Sequence, residues 1–323
     1  MPLSKITSDS LATGAAPNTG TRNFIINGGL QIWERGTSFA STGNGSNNYT
    51  ADRFWVSHNN TSNLTVSQQD GTGAGIGVQY CARVQRNSGS SATNGIRFGT
   101  SLEATDVIRM RGEKLTLSYY ARAGADYSPT SNALGLYLYT GTDVDPNPNT
   151  FAGGSWNNTV GLVNATSTLT TSWQRFTHTT AAVSSTANAI ILQFNASETG
   201  TAGANDYFEI TGVQLEVGEQ ATPFEHRSVG DELARCQRYF LSTVASHQQY
   251  QADAGNIPNG ALCSFPCEMR TSPSISFTST MNATRTNSSS AVYVTASSFY
   301  FGVNVTSTGT HNRQVTVAAD AEL

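Results

Sequence analysis

The segment KLTLSYYA, residues 114–121, decides the fold class because its apolar side chains recur at every second position. Successive side chains of an extended strand point to opposite faces. One face of this segment therefore carries Leu115, Leu117, Tyr119 and Ala121. An antiparallel strand that is buried on one side and solvated on the other has this pattern. The segment predicts a half-buried β-strand.

Similar segments recur between residues 23 and 225. Leu134, Leu136 and Leu138 also alternate, and Ile191 and Phe194 lie in a more continuous apolar run. Loops rich in Gly, Asn, Ser and Thr separate these short runs. Short strands with this spacing predict a sandwich or a barrel of antiparallel strands.

One later segment follows a helical period instead. Ser228 is followed three residues later by Asp231, which is similar to a capping box at a helix start. Apolar residues then recur at helical spacing, namely Val229, Leu233, Cys236 and Phe240. The pattern predicts one amphipathic helix over about residues 229–243, a polar linker over 247–260 and short strands from there to the C-terminus.

Composition excludes several classes of partner. Only 12% of the 323 residues are charged, the net charge is −4, and Lys and Arg form no cluster, so we expect no nucleic-acid binding. No apolar run approaches the roughly 18 residues of a membrane span, so we expect no membrane insertion. The start, MPLSK, lacks the apolar core of a signal peptide, which predicts synthesis in a cytoplasm.

Two pairs of motifs carry a family resemblance. The opening pair is NFIINGGLQIWERGT at residues 23–37 and YTADRFW at 49–55, and the closing pair is GVQLEVGEQATPFE at 212–225 and DELARCQRY at 231–239. Together they resemble a domain that is common in virion proteins of tailed bacteriophages. The resemblance covers residues 23–240 and touches the C-terminal region.

The resemblance implies a mainly β fold, with an antiparallel jelly-roll β-sandwich similar to carbohydrate-binding modules. One helix and a small C-terminal β region would follow it as an α+β addition. The expected divisions are an anchoring segment (1–22), the sandwich (23–227), a linking helix (228–246) and a β-rich region (247–323). The C-terminal region has about 80 residues, which can only just form a hydrophobic core of their own. Oligomerisation would complete it.

The resemblance also implies a role. The chain would be a tail-fibre or adsorption protein of a phage, usually a homotrimer, located in the virion tail and in contact with other tail proteins and with host-surface polysaccharide. The expected virion anchor is the N-terminal segment, whose isolated apolar residues are too sparse to form a core: Leu3, Ile6 and Leu11.

A glycan site needs an aromatic face for stacking and amides nearby for hydroxyl groups. The candidates are Trp156, Asn157, Asn158 and Tyr127. Packing between subunits or simple anchoring of its loop are the alternatives for Trp156. The other tryptophans lie in strand-like runs and are expected in a core or an interface: Trp33, Trp55 and Trp173.

A structural calcium ion is the one cofactor considered, because modules of the similar fold often hold one between terminal strands with oxygen ligands. The candidate ligands are Asn27, Glu34, Asp206 and Glu209.

Catalytic chemistry is not expected. The carboxylate pairs that could act on a glycan, Asp143/Asp145 and Glu216/Glu219, lie in a Pro/Asn loop and beside a turn. Nucleophile-elbow and phosphate-loop motifs are absent from the sequence. No two of the five histidines lie within four residues of each other, which excludes a zinc site with local spacing and leaves one built from distant residues: His58, His178, His226, His247 and His311. The four cysteines are expected as buried free thiols.

Three other functions stay open. The chain could be an adaptor, baseplate or decoration protein that contacts only virion proteins. It could be a polysaccharide depolymerase, which would need a groove with two or more acidic residues. It could also be a carbohydrate-binding module of a secreted enzyme, which the missing signal peptide and catalytic domain disfavour.

Overall fold

The computed structural model describes residues 22–41, 48–58, 64–93, 95–152, 156–251, 257–284, 286–305 and 307–323. Contacts divide the chain into two units, Met1–His226 (unit 1, with Leu323) and Arg227–Glu322 (unit 2). None of the helices in these ranges is long and apolar enough to cross a membrane.

Unit 1 is built almost entirely from short strands. They are β1 (Ser38–Ser41), β2 (Asn48–Tyr49), β3 (Trp55–His58), β4 (Leu64–Asp70), β5 (Tyr80–Arg86), β6 (Ile96–Leu102), β7 (Lys114–Ala123), β8 (Ala133–Gly141), β9 (Val160–Thr168), β10 (Gln174–Ala182), β11 (Ala189–Ala196) and β12 (Tyr207–Val217). Within the described ranges, its helical pieces are α1 (Ala104–Val107), α2 (Pro148–Ala152) and three 3₁₀ turns at Thr72–Ala74, Ile108–Met110 and Thr130–Asn132.

These strands form two six-stranded sheets. Sheet I has the order β1–β4–β5–β12–β7–β10, and sheet II has the order β2–β3–β6–β11–β8–β9. Every strand pairing in the two sheets is antiparallel. The predicted mainly β, antiparallel sandwich is therefore confirmed.

The core of unit 1 lies between the two sheets, and the alternating segments supply it. Fully buried side chains come from β7 in sheet I and from β8 in sheet II: Leu115, Leu117, Tyr119, Leu134, Leu136 and Leu138. Burying one leucine side chain contributes about 1.5–3 kcal/mol. The alternation therefore determines which face of each sheet packs in the core and which face is directed outward.

The opening and closing motifs clasp each other. The Phe24 N–H donates to the Leu215 carbonyl (2.9 Å), and the Val213 N–H donates to the Gly28 carbonyl (2.8 Å). A Cβ at Gly28 would lie 2.0 Å from the backbone carbonyl oxygen of Val213, so only glycine fits there. The segment after Asn23 lies beside β12, as the jelly-roll topology predicts, although it forms turns and not a strand.

Glu225 and Glu216 complete the clasp. The Glu225 carboxylate accepts hydrogen bonds from the backbone N–H groups of Arg22 and Asn23. Glu216 is buried and accepts hydrogen bonds from the N–H and hydroxyl of Thr222. Glu225 therefore joins the opening segment to the closing motif, and Glu216 stabilises the turn within the closing motif.

Unit 2 starts with α3 (Val229–Gln237), followed by β13 (Phe240–Gln251), β14 (Ile257–Ser264), β15 (Ser274–Thr284), β16 (Thr286–Val292), β17 (Ser298–Val305) and β18 (Gly309–Asp320). The Ser228 hydroxyl accepts a hydrogen bond from the Asp231 N–H (3.1 Å), which confirms the predicted cap. Sheet III has the order β13–β18–β15, and sheet IV has the order β14–β17–β16.

The predicted end of the helix at residue 243 is wrong. The helix ends at Gln237, and β13 pairs with β18 without a break from Phe240 to Gln251. This long ladder satisfies the backbone groups that a longer helix would have paired internally. The predicted linker at 247–260 is also wrong at both ends, which belong to β13 and β14, while residues 252–256 lie outside the described ranges.

Unit 2 has a small core of its own between sheets III and IV. Its buried side chains are Ala245, Phe299, Phe301, Val303, Val315 and Val317.

Candidate functional site

The outer face of sheet II carries an ordered array of side chains. Because side chains alternate along each strand, the residues between the buried leucines of β8 point away from the core. Strand register aligns five residues from β3, β6, β11, β8 and β9 in one row: Trp55, Gly99, Gln193, Tyr137 and Asn164. This central row crosses most of the sheet.

A polar row runs beside the central row. The same strands contribute Ser57, Arg97, Asn195, Gly135 and Thr166, again in register. On the other side of the central row lie Ser101, Ile191, Tyr139 and Gly161. The outer face therefore combines tyrosine rings with amide, guanidinium and hydroxyl groups.

Glycines next to the aromatic residues give the rings room against the sheet. A Cβ at Gly99 would lie 2.9 Å from Trp55 Cζ2, and one at Gly135 would lie 3.0 Å from Tyr137 Cε2. A Cβ at Gly161 would lie 3.2 Å from Tyr139 Cε1. Each ring thus fills the space that a side chain at the glycine would need. The aromatic surface of this face depends on these small residues.

Tyr137 and Tyr139 form the accessible part of that surface. Both side chains are half-buried, their ring planes differ by only 7°, and their centroids are 6.2 Å apart. Phe151 of α2 packs on Tyr139 at 5.1 Å and closes that end. Tyr137, the member of the pair that Phe151 does not cover, therefore lies next to the polar row.

Several buried polar atoms on this face have no hydrogen-bond partner within the described residues. They are Trp55 Nε1, Arg97 Nη1, Ser101 Oγ and Asn195 Oδ1. A buried polar atom that stays unpaired costs about 1–3 kcal/mol, so such atoms call for an explanation. Arg97 and Asn195 are direct cross-strand partners. Together they hold an unpaired donor and an unpaired acceptor beside the tyrosine pair.

Trp156 does not present a stacking face. Its side chain is only 4% exposed and packs with Trp55 and Ile191. Its Nε1–H donates to the Asn147 carbonyl (3.2 Å). The tryptophan thus anchors its loop over the edge of the aromatic surface, which was one of the alternatives considered for it.

Asn157 and Asn158 are exposed but act within the same loop. The Asn157 backbone N–H and side-chain amide donate to the two oxygens of Asp143, and these bonds lower the pKa of that carboxyl group. The Asn158 amide donates to the Thr142 hydroxyl. Both asparagines therefore stabilise the turn that follows β8.

The placement of Tyr127 in the glycan site is wrong. Tyr127 lies in the core between the sheets, where its ring meets Phe208 edge-on and its hydroxyl donates to the Ala133 carbonyl (3.1 Å). Burial raises its pKa well above the usual value. A side chain in the core cannot act with residues on the outer face of sheet II.

The structure does not assemble the expected calcium ligands. The Asn27 side-chain oxygen accepts hydrogen bonds from the N–H groups of Gln31 and Ile32, and its amide shapes the same loop. The Glu34 N–H donates to Asp52. No group of three or more His, Cys, Asp or Glu residues is arranged to hold a metal ion in the part of the chain that the structure describes.

Arginines bind the other two expected calcium ligands. Arg86 Nη1 lies 2.8 Å from Asp206 Oδ2, with both side chains buried. Glu209 is fully buried between Arg83 and Arg122, its cross-strand partners in sheet I. Guanidinium groups thus supply the positive charge that was assigned to calcium.

The outer face of sheet I is a weaker candidate. Arg83 stacks over the Tyr207 ring at 3.9 Å, and Arg122 stacks over the Trp173 ring at 4.9 Å. Both arginines also pair with Glu209, so their charges are already compensated. This arrangement stabilises the sheet and offers a ligand less unpaired capacity than sheet II does.

The carboxylate pairs considered for catalysis have structural partners. Asp145 accepts a hydrogen bond from the Ala104 N–H (2.7 Å), and Glu219 lies 2.9 Å from the Lys114 ammonium. Asp143 and Glu216 bind Asn157 and Thr222 as described above. These four residues therefore maintain turns and the clasp of unit 1.

The N-terminal anchor residues and the four cysteines were also singled out from the sequence. The anchor residues Leu3, Ile6 and Leu11 lie outside the described ranges. All four cysteines are free, but only Cys81 and Cys236 are buried, while Cys263 and Cys267 are partly exposed. Burial raises the pKa of the Cys81 thiol to about 12.

Sequence reasoning missed the residues of the sheet II face. The segment LGLYLY at residues 134–139 contained the signal, because its leucines and tyrosines alternate. Once the leucines are assigned to the core, the tyrosines must lie on the outer face. Arg97 and Asn195 gave no comparable signal, since their alignment depends on strand register.

No protein-family model and no curated protein matches this chain. Similar solved structures include one described as "CBM4 structure and function", at 16% identity over 59% of this chain and 97% of the other, with a TM-score of 0.36. TmCBM61 in complex with beta-1,4-galactotriose is 14% identical over 61% of this chain and 99% of the other, with a TM-score of 0.35.

A third similar structure is the enzymatically active domain of tailspike protein 4 from bacteriophage CBA120. It is 11% identical over 60% of this chain and 21% of the other, with a TM-score of 0.37. At identities and TM-scores this low, the likenesses assign no family.

Proposed function

We propose that the protein is a non-catalytic glycan-binding component of a phage tail fibre or adsorption apparatus. The glycan would bind on the outer face of sheet II. The observation that carries this proposal is the pair of half-buried tyrosines, Tyr137 and Tyr139, beside the unpaired polar atoms of Arg97 and Asn195. Specific sites commonly combine such apolar surfaces with a few placed polar groups.

The chemistry of a sugar ring suits this combination. One side of a pyranose presents C–H groups, which pack on an aromatic face, and its rim presents hydroxyl groups, which both donate and accept hydrogen bonds. Arg97 Nη1 can donate to a hydroxyl oxygen, and Asn195 Oδ1 can accept from a hydroxyl hydrogen. The tyrosines and the polar row would therefore bind different parts of the same residue.

The role in a phage tail rests on the opening and closing motifs at residues 23–55 and 212–239. In this role, residues 1–22 attach the chain to other tail proteins, and three copies form the fibre. Several weak glycan sites on one particle would bind a host surface with much higher avidity than one site.

The experiment that tests the glycan site is a binding screen of the full chain against an array of bacterial surface polysaccharides. Wild type is expected to bind at least one of them. Tyr137→Ala should weaken that binding roughly tenfold, which corresponds to about 1.4 kcal/mol, because it removes one ring of the tyrosine pair. The matched control is Tyr250→Ala, which removes an exposed tyrosine from unit 2 and should leave binding unchanged.

Two results would overturn the glycan site. If Tyr137→Ala binds as tightly as wild type, the site lies elsewhere. If the wild-type chain binds no polysaccharide but binds purified tail proteins, the chain is an adaptor.

A further inference from the structure

Two histidines that are distant in sequence meet in unit 2. His247 lies on β13 and His311 lies near the start of β18, which is the neighbouring strand of sheet III. Their ring centroids are 5.4 Å apart. In the ladder, Gln249 is the partner of His311, and Arg313 is the partner of His247, so the two rings are diagonal neighbours.

Both rings lie on the inner face of sheet III. Residues an even number of positions apart on a strand lie on the same face. His247 is two residues from Ala245, and His311 is four residues from Val315. Both Ala245 and Val315 belong to the core of unit 2. The histidines therefore continue the inner face beyond the apolar core, near the end of the sheet where β13 ends and β18 begins. This is a position where an apolar side chain would be expected.

Three nitrogens of these rings have no hydrogen-bond partner in the part of unit 2 that the structure describes. His311 is fully buried, and both of its ring nitrogens are unpaired. His247 Nε2 is buried and unpaired as well. Two unpaired imidazoles in contact call for a shared ligand.

The spacing of the rings suits a single metal ion. Zinc binds imidazole nitrogen at about 2.0–2.1 Å in a tetrahedral arrangement, which places the centroids of two bound rings roughly 5 Å apart. The observed separation is 5.4 Å. The two rings are therefore spaced as two ligands of one ion would be.

We propose that His247 and His311 form a binding site for one zinc-class transition-metal ion, with water completing the coordination. Imidazole is a preferred ligand of zinc, nickel and copper. His247 is partly exposed, which gives the ion access to the buried His311. Arg313 is directed to sheet IV, where its Nε–H donates to the Ser289 hydroxyl (2.9 Å), and this bond holds its charge in place.

The ion would join the ends of β13 and β18. These strands pair along their whole length, and the histidines lie near the last pairs, Tyr250 with Thr310 and Gln251 with Gly309. Binding of an ion only to the folded chain stabilises the fold by mass action. The site belongs to unit 2 and is independent of the glycan site proposed for unit 1.

The experiment uses the full chain without a histidine tag, treated with a chelator and then titrated with Zn²⁺ in a calorimeter. Wild type is expected to bind one ion per chain. His247→Ala should weaken this binding at least tenfold, because a single imidazole is left. The matched control is His226→Ala, which removes an exposed histidine of unit 1 and should leave the titration unchanged.

A second variant, His311→Ala, is expected to lose the site as well, and if it does not fold, His247→Ala decides alone. The proposal is overturned if wild type binds no stoichiometric Zn²⁺, or if His247→Ala binds like wild type. A titration with inorganic phosphate tests whether the histidine pair binds an anion instead of a metal ion. Binding of phosphate that depends on His247, without binding of Zn²⁺, would make the pair an anion site and contradict the metal site.

Discussion

At the scale of the residue, arginines hold unit 1 together where an ion had been expected. Arg86 is buried, pairs with Asp206 and also donates to the Ser128 hydroxyl. Its remaining bonds go to four backbone carbonyls, those of Ser90, Ala92, Thr199 and Gly200. The sequence shows an acidic residue at 206 but not its partner, because the contact depends on how β5 meets the start of β12. The sequence alone does not distinguish an acidic residue that binds calcium from one that pairs with an arginine.

Arg86→Lys should therefore destabilise unit 1 by about 2–4 kcal/mol, although the charge is kept. A lysine ammonium has three donors on a flexible stem and cannot reach the acceptors that the planar guanidinium reaches together. Denaturant unfolding of the full chain measures this change. Arg109→Lys is the control, because Arg109 pairs with Asp106 on the surface and the substitution should cost less than about 0.5 kcal/mol. Equal effects of both substitutions would contradict the assigned role of Arg86.

At the scale of the element, the strands followed from the sequence better than the helix end did. Alternation in residues 114–121 and 134–138 has a direct physical cause, so the buried faces of β7 and β8 were predictable. The start of α3 was predictable for the same kind of reason, since the Ser228 cap is local. Its end was not, because the apolar spacing continues to Phe240 while the chain pairs with β18, far along the sequence.

The candidate site shows the same division. The outward tyrosines of β8 were implied by its leucines, whereas the row that joins Tyr137 to Gln193 and Trp55 arises from pairings between four strands. The sequence pointed instead to Trp156, because a tryptophan in a polar loop has the composition of a sugar contact. The structure buries that tryptophan as a loop anchor. Exposure was the property that the sequence could not supply.

At the scale of the whole molecule, unit 2 carries an apolar row on the outer face of sheet IV. Leu262, Tyr300 and Val292 are cross-strand neighbours there, and Leu262 is 68% exposed. The proposed role in a tail fibre involves three copies of the chain, and burial of such a row between copies would stabilise them.

We therefore expect wild type to sediment at three times the chain mass of 34.3 kDa. Leu262→Glu should shift the mass towards that of one chain, because it places a charge in the row. Its control is Ser276→Glu, at an exposed polar position of sheet III. A wild-type chain that sediments as a monomer would contradict the trimer. A Leu262→Glu variant that keeps the mass of three chains would show that this row is not the contact between copies.

Binding of a glycan on the outer face of sheet II can be seen in a crystal structure of the chain with a polysaccharide fragment selected by the binding screen. The proposed site predicts a sugar ring against Tyr137 or Tyr139, with hydroxyl groups bonded to Arg97 and Asn195. A fragment bound on sheet I or on unit 2, with the outer face of sheet II empty, would contradict it.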